Sequence, residues 1–264
     1  MRDGHRPVRT TAGAPLACQR VHPEMRFVVG STQVAVSLHA LAIVVAVAVG
    51  ASIALRRARE PAFVLLAVPV VAVAGLIGAR ALHATLHGGG GVWTGGLAST
   101  GGIAAGFVAA CLIARASGRP IVDLLDPLAP AAIVALGIGR IGCFLGGCCY
   151  GRPTSLPWGV LFPALGPTPR HPLQLYSAAG DFVVAAMLLA CVAPPGAITR
   201  RACMGLGVLR FALEVFRDPG ATDLLAGGRV TVPQAAALVL VAASLRIQGA
   251  STMAPPRRSA ADAG

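Results

Sequence analysis

GRIGCFLGGCCYGRPTSLPWGVLFPALGPTPRHPLQLY, Gly139–Tyr176, interrupts a chain that otherwise reads as a series of apolar runs. It holds Pro153 and Pro157 in a GRP/LPWG turn, an RHP turn at 170–172, and the arginines Arg140, Arg152 and Arg170. Unpaired backbone amides in hydrocarbon cost several kcal/mol each, so irregular polar backbone near a bilayer is buried in protein or lines a wet cavity. Such a segment between membrane helices marks a site.

The rest of the composition supports the bilayer. Of 264 residues, 55% are hydrophobic and only 12% charged, with a mean hydropathy of +0.73, outside the range of soluble domains. All 22 Lys/Arg positions are arginine. The net charge of +12 does not indicate nucleic acid, because the arginines are scattered between apolar runs instead of gathered on one face. Attraction to anionic lipid accounts for it.

Seven candidate spans suit a hydrocarbon core of about 30 Å: roughly 32–55, 62–83, 96–114, 122–142, 173–193, 203–217 and 231–247. The expected fold is all-α, a polytopic membrane helical bundle occupying 31–247, with flexible tails at 1–30 and 248–264 and no internal repeat. The third span is rich in small residues that allow close helix approach. Pro127 and Pro130 make the fourth a bent or partly re-entrant helix. The sixth is short and carries Arg210, Glu214 and Arg217.

Arginine clusters at Arg56–Arg57–Arg59, Arg115/Arg119, Arg200–Arg201 and Arg246/Arg257/Arg258 fall on one side of a seven-span bundle. By the positive-inside rule that side is cytoplasmic, with the C-terminus inside and the N-terminus outside. The five arginines of residues 1–26 oppose this assignment. The loop with His83, His87 and Gly88–Gly91, the loop 143–172 and that near Asp218–Arg229 fall on the far side. With no early apolar stretch, no cleavable signal peptide is expected, and the first span would act as an uncleaved one.

Charges in the spans point to chemistry. Arg80, Arg140, Arg210, Glu214 and Arg217 lie within or at the ends of apolar runs, where a charge at helix centre costs about 2.5–3.5 kcal/mol on insertion scales. Snorkelling to the interface also explains Arg80 and Arg217. Arg210 and Glu214, at i and i+4, can form an intrahelical ion pair. Arg140 in GIGRIG has glycine neighbours that admit a close approach. Several guanidiniums converging in a membrane suit an anionic headgroup, since their forks match phosphate oxygens.

The seven cysteines (18, 111, 143, 148, 149, 191 and 203) are odd in number and lack framework spacing, which argues against a disulfide scaffold. Cys18 in PLAC lacks the apolar run of a lipobox. Cys143, Cys148, Cys149 and His171 form a set with three readings: a zinc or redox centre, a covalent thiol, or small-residue packing. The C-x4-C-C spacing is not a standard ligand pattern, and adjacent cysteines bind one ion only with strain, so packing is the default and no metal is expected.

The run GRIGCFLGGCCYGRPTSLPWGVLFP followed by RHPLQLY is similar to the signature region of bacterial prolipoprotein diacylglyceryl transferases. The likeness extends to GLIGARAL around Arg80, GGLASTGG at 95–102, Asp126 in DPLAP, RFALEVFRDP at 210–219 and Gln234 in TVPQ. The resemblance implies a seven-helix bacterial inner-membrane enzyme that needs no cofactor. It would move the diacylglyceryl group of phosphatidylglycerol onto the lipobox cysteine of a secreted prolipoprotein, whose signal peptide is the partner. Arg140 matches the family's phosphatidylglycerol-binding arginine, and Arg210 with Glu214 its Arg/Glu pair, Glu214 orienting Arg210 or relaying a proton. His171, Gln174 and Tyr176 match HPxQLY and shape the mouth of the site or form a packed turn. The resemblance also places Arg80, Gly101, Gly102 and Arg217 at the substrate.

The chain departs from the pattern at specific positions. Thr100 in STGG stands where the family has a histidine proposed as the thiol-activating base, and Thr cannot serve as a base near neutral pH. Cys143, Gly146 and Cys148 replace Asn, Asn and Glu of GRxGNFxNGE, and His39 stands where a tyrosine is usual. Two readings follow: His39 or His171 supplies the base in a reorganised site, or the chain is a paralogue that only binds anionic phospholipid or modifies a different acceptor.

Overall fold

The structure is a computed structural model that describes residues 24–29, 32–87, 98–162, 165–217, 224–225 and 230–252, with side chains at 37–86, 98–162, 165–217 and 230–245. The glycine-rich loop at 88–97, most of the loop at 218–229, Cys18 and both outermost tails lie outside the described residues.

Among the described residues seven α-helices make up the bundle: α1 (Leu38–Arg57), α2 (Pro61–His87), α3 (Ser99–Ala116), α4 (Val122–Leu145), α5 (Leu173–Leu189), α6 (Ala197–Leu213) and α7 (Val232–Thr252). Two small antiparallel ribbons accompany them, β1 (Glu24–Val29) with β2 (Thr32–Ser37), and β3 (Leu224–Leu225) with β4 (Val230–Thr231). α1, α3, α4 and residues Pro61–Leu86 of α2 are long and apolar enough to cross a membrane, and α5 and residues Val232–Leu245 of α7 are shorter apolar helices. The chain is a polytopic helical membrane protein.

Three details differ from the sequence expectation. The segment preceding the first helix pairs as β1–β2, from Glu24↔Ser37 to Val29↔Thr32, so helix begins at Leu38 and not near 32. Its β-branched and aromatic content (Phe27, Val28, Val29, Val34, Val36) favours extended pairing over helix. α4 is one unbroken helix with Pro127 and Pro130 inside it, neither re-entrant nor interrupted; both prolines lie in its N-terminal half, and the remaining ladder carries the helix. The short sixth span starts earlier, at Ala197, and continues into a single 3₁₀ turn, Glu214–Phe216.

The packing is that of a protein whose solvent is lipid. Buried positions are dominated by small residues, among them Ala46, Ala54, Ala67, Ala110, Ala131 and Ala185, while Val44, Leu66, Ile77, Leu112, Met187 and Val239 face outward. With no aqueous driving force between helices in a bilayer, close backbone approach and van der Waals contact do the work. α2 and α3 show it most clearly. A Cβ at Gly101 would meet the Gly78 carbonyl and lie 2.6 Å from Leu82 Cβ, and one at Gly102 would lie 3.1 Å from the Gly75 carbonyl. Gly101 and Gly102 thus serve helix contact.

These close contacts also fix direction. Gly78 meets Gly101 and Gly106 meets Val71, which makes α2 and α3 antiparallel. Gly50 packs on Ala131 and Gly142 on His39 and Ala42, reversing α1 against α4. Gly137 on Phe182 with Gln174 on the Cys148 carbonyl, Gly180 on Leu209 with Gly205 on Val184, and Gly207 on Ala237 with Glu214 on Thr231 do the same for α4–α5, α5–α6 and α6–α7. The chain therefore runs up and down with two chemically distinct ends. At one end Arg57 donates to the Leu189 and Cys191 carbonyls, Arg119 pairs with Glu60, and the arginines of α6's first turn gather. There Asp126 of α4 caps α6, accepting from Gly196 N (2.6 Å), Thr199 N (2.9 Å) and Thr199 Oγ1 (2.6 Å). A carboxylate at a helix N-terminus satisfies otherwise orphaned amides and complements the helix dipole.

Gly101→Leu is expected to drive a side chain into the α2 backbone and destabilise the bundle by about 1–3 kcal/mol, seen as a lower melting temperature in detergent. Gly139→Ala, where a Cβ meets nothing within 4 Å, should leave the melt unchanged or raise it.

Candidate functional site

The opposite end of the bundle collects the polar residues that the sequence singles out. Each arrives from the matching end of its helix: His39 from the start of α1, Arg80 from late α2, Thr100 from the start of α3, Arg140 and Cys143 from the end of α4. His171 and Gln174 come from the start of α5, and Arg210 and Glu214 from the end of α6. Up-and-down connectivity puts all of them at the same level.

At the centre stands Asp181, fully buried in α5. Arg210 reaches across from α6, its Nη2 2.9 Å from Asp181 Oδ1 and 2.6 Å from Oδ2. This corrects the expected Arg210–Glu214 pair. The i,i+4 spacing permits that pair on an isolated helix, but α6 gives way to a 3₁₀ turn at Glu214, and a buried carboxylate on the neighbouring helix takes the guanidinium instead. Glu214 turns to other partners. Its Oε1 accepts from Thr231 Oγ1 at 2.9 Å, and its Oε2 lies 3.6 Å from Arg217 Nη1. Thr231 in turn forms a reciprocal cap with Gln234 at the start of α7: Thr231 N donates to Gln234 Oε1 (3.1 Å) and Gln234 N to Thr231 Oγ1 (3.2 Å). Glu214 thereby anchors α7 to α6.

Arg140 on α4 donates from Nη2 to Ser99 Oγ at 3.2 Å, at the first residue of α3. Ser99 is a neutral partner, and among the described residues Arg140 has no carboxylate in ion-pair range. Its field reaches Asp181, Arg210 and Cys149. Arg140, Arg210 and Arg217, with Arg80 at the same level, outnumber the two carboxylates Asp181 and Glu214, so this end of the bundle is net positive. Thr100 follows Ser99 directly. His39 lies against Gly142, where an added Cβ would be 3.3 Å from His39 Nδ1. Arg80 is half-buried on α2, next to Ala79, whose carbonyl accepts from Ala98 N at 2.9 Å and so ties the start of α3 to this level.

HPLQLY forms a braced turn. Buried His171 has Nδ1 3.3 Å from Tyr176 Oη, which also accepts from Trp158 Nε1 at 2.8 Å. The His171 and Tyr176 rings lie edge-on to Phe216, with centroids 5.2 and 5.9 Å away. Gly151 N donates to the His171 carbonyl (2.9 Å), His171 N to that of Arg152 (3.1 Å), and Arg152 N to that of Phe216 (2.9 Å). The loop after α4 is stitched by these bonds to the turn after α6, and His171 with Tyr176 forms its packed centre. Gln174, also buried, donates from Nε2 to the Cys148 carbonyl.

Beneath this cap the sulfurs of Cys143, Cys148 and Cys149 lie within 4.8 Å of one another. Cys148 N donates to the Cys143 carbonyl at 3.1 Å, and Cys149 takes a left-handed φ of 60°, the one such non-glycine among the described residues. Contact with the Cys143 and Cys148 thiols, and then the positive fields of Arg140 and Arg217, lower the Cys149 thiol well below its ordinary value despite burial. Cys148 is pushed up by its thiol contacts with Cys143 and Cys149 and by burial. Sequence reasoning missed Asp181 and Ser99. The signal for Asp181 was present, as the lone acid of the apolar run LQLYSAAGDFVVAAMLL.

Asp181→Ala leaves Arg210 charged and unpaired in the bundle and is expected to cost about 3–5 kcal/mol, whereas Asp181→Leu with Arg210→Met should melt near wild type. Equal melting temperatures for wild type and Asp181→Ala in detergent would contradict this account of the pair.

Comparison with known proteins gives consistent relationships. A family model described as prolipoprotein diacylglyceryl transferase matches residues 27–248. The chain is similar to the phosphatidylglycerol–prolipoprotein diacylglyceryl transferase of Geobacter sulfurreducens, at 41% identity over 141 residues, 52% of this chain and 54% of the relative. The protein of the same name from Vibrio vulnificus is 37% identical over 147 residues (54% of each chain), and that from Cupriavidus pinatubonensis 43% over 133 residues (48% of each). The chain spans about half the length of the curated relatives it matches.

Proposed function

This chain belongs to the prolipoprotein diacylglyceryl transferase family, and we propose that it transfers the diacylglyceryl group of phosphatidylglycerol to the lipobox cysteine thiol of prolipoproteins. The observation that carries this reading is the arginine-rich cluster at one end of a lipid-embedded bundle, where guanidiniums outnumber carboxylates. A phosphodiester headgroup brings a negative charge that offsets this excess. Arg140, whose partner is a neutral hydroxyl, is the guanidinium able to turn to phosphate at little cost. Arg210, fixed by Asp181, presents its remaining N–H groups in a set direction.

The reaction proceeds by attack of the substrate thiolate on the glyceryl carbon that bears the phosphate ester. The carbon–sulfur bond forms as the carbon–oxygen bond breaks, and glycerol-1-phosphate leaves with the bonding electrons. Charge grows on the leaving phosphate, where arginines placed in advance stabilise it. The thiol, of ordinary pKa about 8.5, needs only a modest push to ionise. The field of Arg140 and Arg217, which already favours thiolate at Cys149, acts in the same sense on a thiol entering beside it, and the proton leaves to water. The reading thus needs no histidine at position 100.

The end opposite the site, where Arg57, Arg119, Arg200 and Arg201 lie, faces the cytoplasm in this reading, in keeping with the positive-inside rule. The site then opens toward the outer leaflet of the bacterial inner membrane, where secreted signal peptides arrive. Because α1 starts at the site end and α7 runs away from it, the N-terminus lies outside and the C-terminus inside.

Expression in a bacterium depleted of its own diacylglyceryl transferase should restore lipoprotein mobility on gels. Arg140→Ala should lower transfer by about 10²-fold or more, and Thr100→His should change it little. Abundant, inserted wild-type protein with no mobility change would refute the transferase reading in favour of a lipid-binding paralogue.

A further inference from the structure

The transfer reaction leaves the three cysteines unused. We propose that Cys143, Cys148 and Cys149 form a binding site for one soft d¹⁰ metal ion of the Cu(I)/Zn(II) class, at the site end of α4.

The geometry suits it. Metal–sulfur bonds of about 2.3 Å place the sulfurs of a three-thiolate site about 4 Å apart, and the three Sγ atoms already lie within 4.8 Å of one another. Only small side-chain adjustments separate the cluster from a coordination tripod. Soft thiolates select these metals over hard cations. The adjacent pair, unfavourable by spacing alone, is reconciled by its backbone. Gly147 at φ 65° and Cys149 at φ 60° turn the chain back after α4, so that Cys149 meets Cys148 and Cys143. Such a conformation at a non-glycine residue costs of order 1–3 kcal/mol and persists where surrounding structure imposes it. Packing of three small side chains does not demand that strain.

The surroundings also fit. Three thiolates around Cu(I) carry two net negative charges, and around Zn(II) one; the positive fields of Arg140 and Arg217 both reach Cys149. Gln174 Nε2 holds the Cys148 carbonyl and so fixes the ligand-bearing loop to α5, while its Oε1 is buried with no hydrogen-bond partner among the described residues. A water completing the coordination of zinc would offer that oxygen a donor, in the manner of outer partners at metal sites.

A role as carrier of the glyceryl group is excluded by the chemistry. Attack of one of these thiolates on a glyceryl carbon would release glycerol phosphate and leave a thioether, which has no leaving group for onward transfer. The metal reading does not depend on the transferase activity.

The test uses the full chain, purified in detergent through a histidine-free tag and kept reduced under argon. It is loaded separately with Zn(II) and with Cu(I), desalted, and assayed by elemental analysis. The wild type should retain one ion per chain of at least one of the two metals, and the variant C143A/C148A/C149A less than a fifth of that. X-ray absorption on the loaded wild type should show three sulfur neighbours at about 2.3 Å, a readout that stands even where the triple variant does not fold. Failure to retain either metal, retention unchanged in the triple variant, or a first shell of nitrogen and oxygen alone would each overturn the proposal.

Discussion

Within the apolar bundle, one ion pair sets the terms for everything near it. Asp181, with no solvent exposure, and Arg210 join α5 to α6 at the level of the site. Neither charge is tolerable there alone. Paired, they fix a guanidinium in direction and level, and they leave Arg140 and Arg217 as its like-charged neighbours. The cluster carries more guanidiniums than carboxylates, which is the charge state that an anionic ligand would offset. A charge of that kind in a membrane protein is costly to keep unless a ligand of opposite sign is part of its function.

The remaining architecture brings polar side chains from six helices to one height. Glycine and alanine contacts draw the helices close enough for side chains as short as Ser99 and Asp181 to reach arginines on adjacent helices. Antiparallel order then alternates helix ends, so that residues distant in sequence share a level. The opposite end is closed differently, by the Asp126 cap on α6 and by Arg57 on the carbonyls that end α5. One end is stapled shut by backbone hydrogen bonds; the other carries the exchangeable charge.

Much of this was legible in the sequence. Uninterrupted apolar runs specify the helices, because a bilayer leaves the backbone few alternatives, and charges inside those runs single out Arg140, Arg210 and Glu214, which the fold brings to one end of the bundle. What was not legible depends on neighbours. Helical periodicity proposes Glu214 for Arg210 but cannot see that α5 offers Asp181 across the interface. Gly101 and Gly102 read equally as ligand contacts or as packing until the α2 backbone is placed against them. The β1–β2 ribbon was masked by its apolar character, which merges with the first span. Convergence of the three cysteines rests on a left-handed residue at Cys149, for which a cysteine carries no propensity signal.

The account stands or falls on whether the arginine cluster handles a phosphate during thiol transfer. The most direct measurement is release of glycerol-1-phosphate by the purified chain in vesicles, given a synthetic lipobox peptide and either phosphatidylglycerol or phosphatidylethanolamine as donor. The account predicts release from phosphatidylglycerol only, matched mole for mole by diacylglyceryl-modified peptide and absent when the peptide's cysteine is serine. Phosphatidylglycerol binding without peptide-dependent release would contradict it.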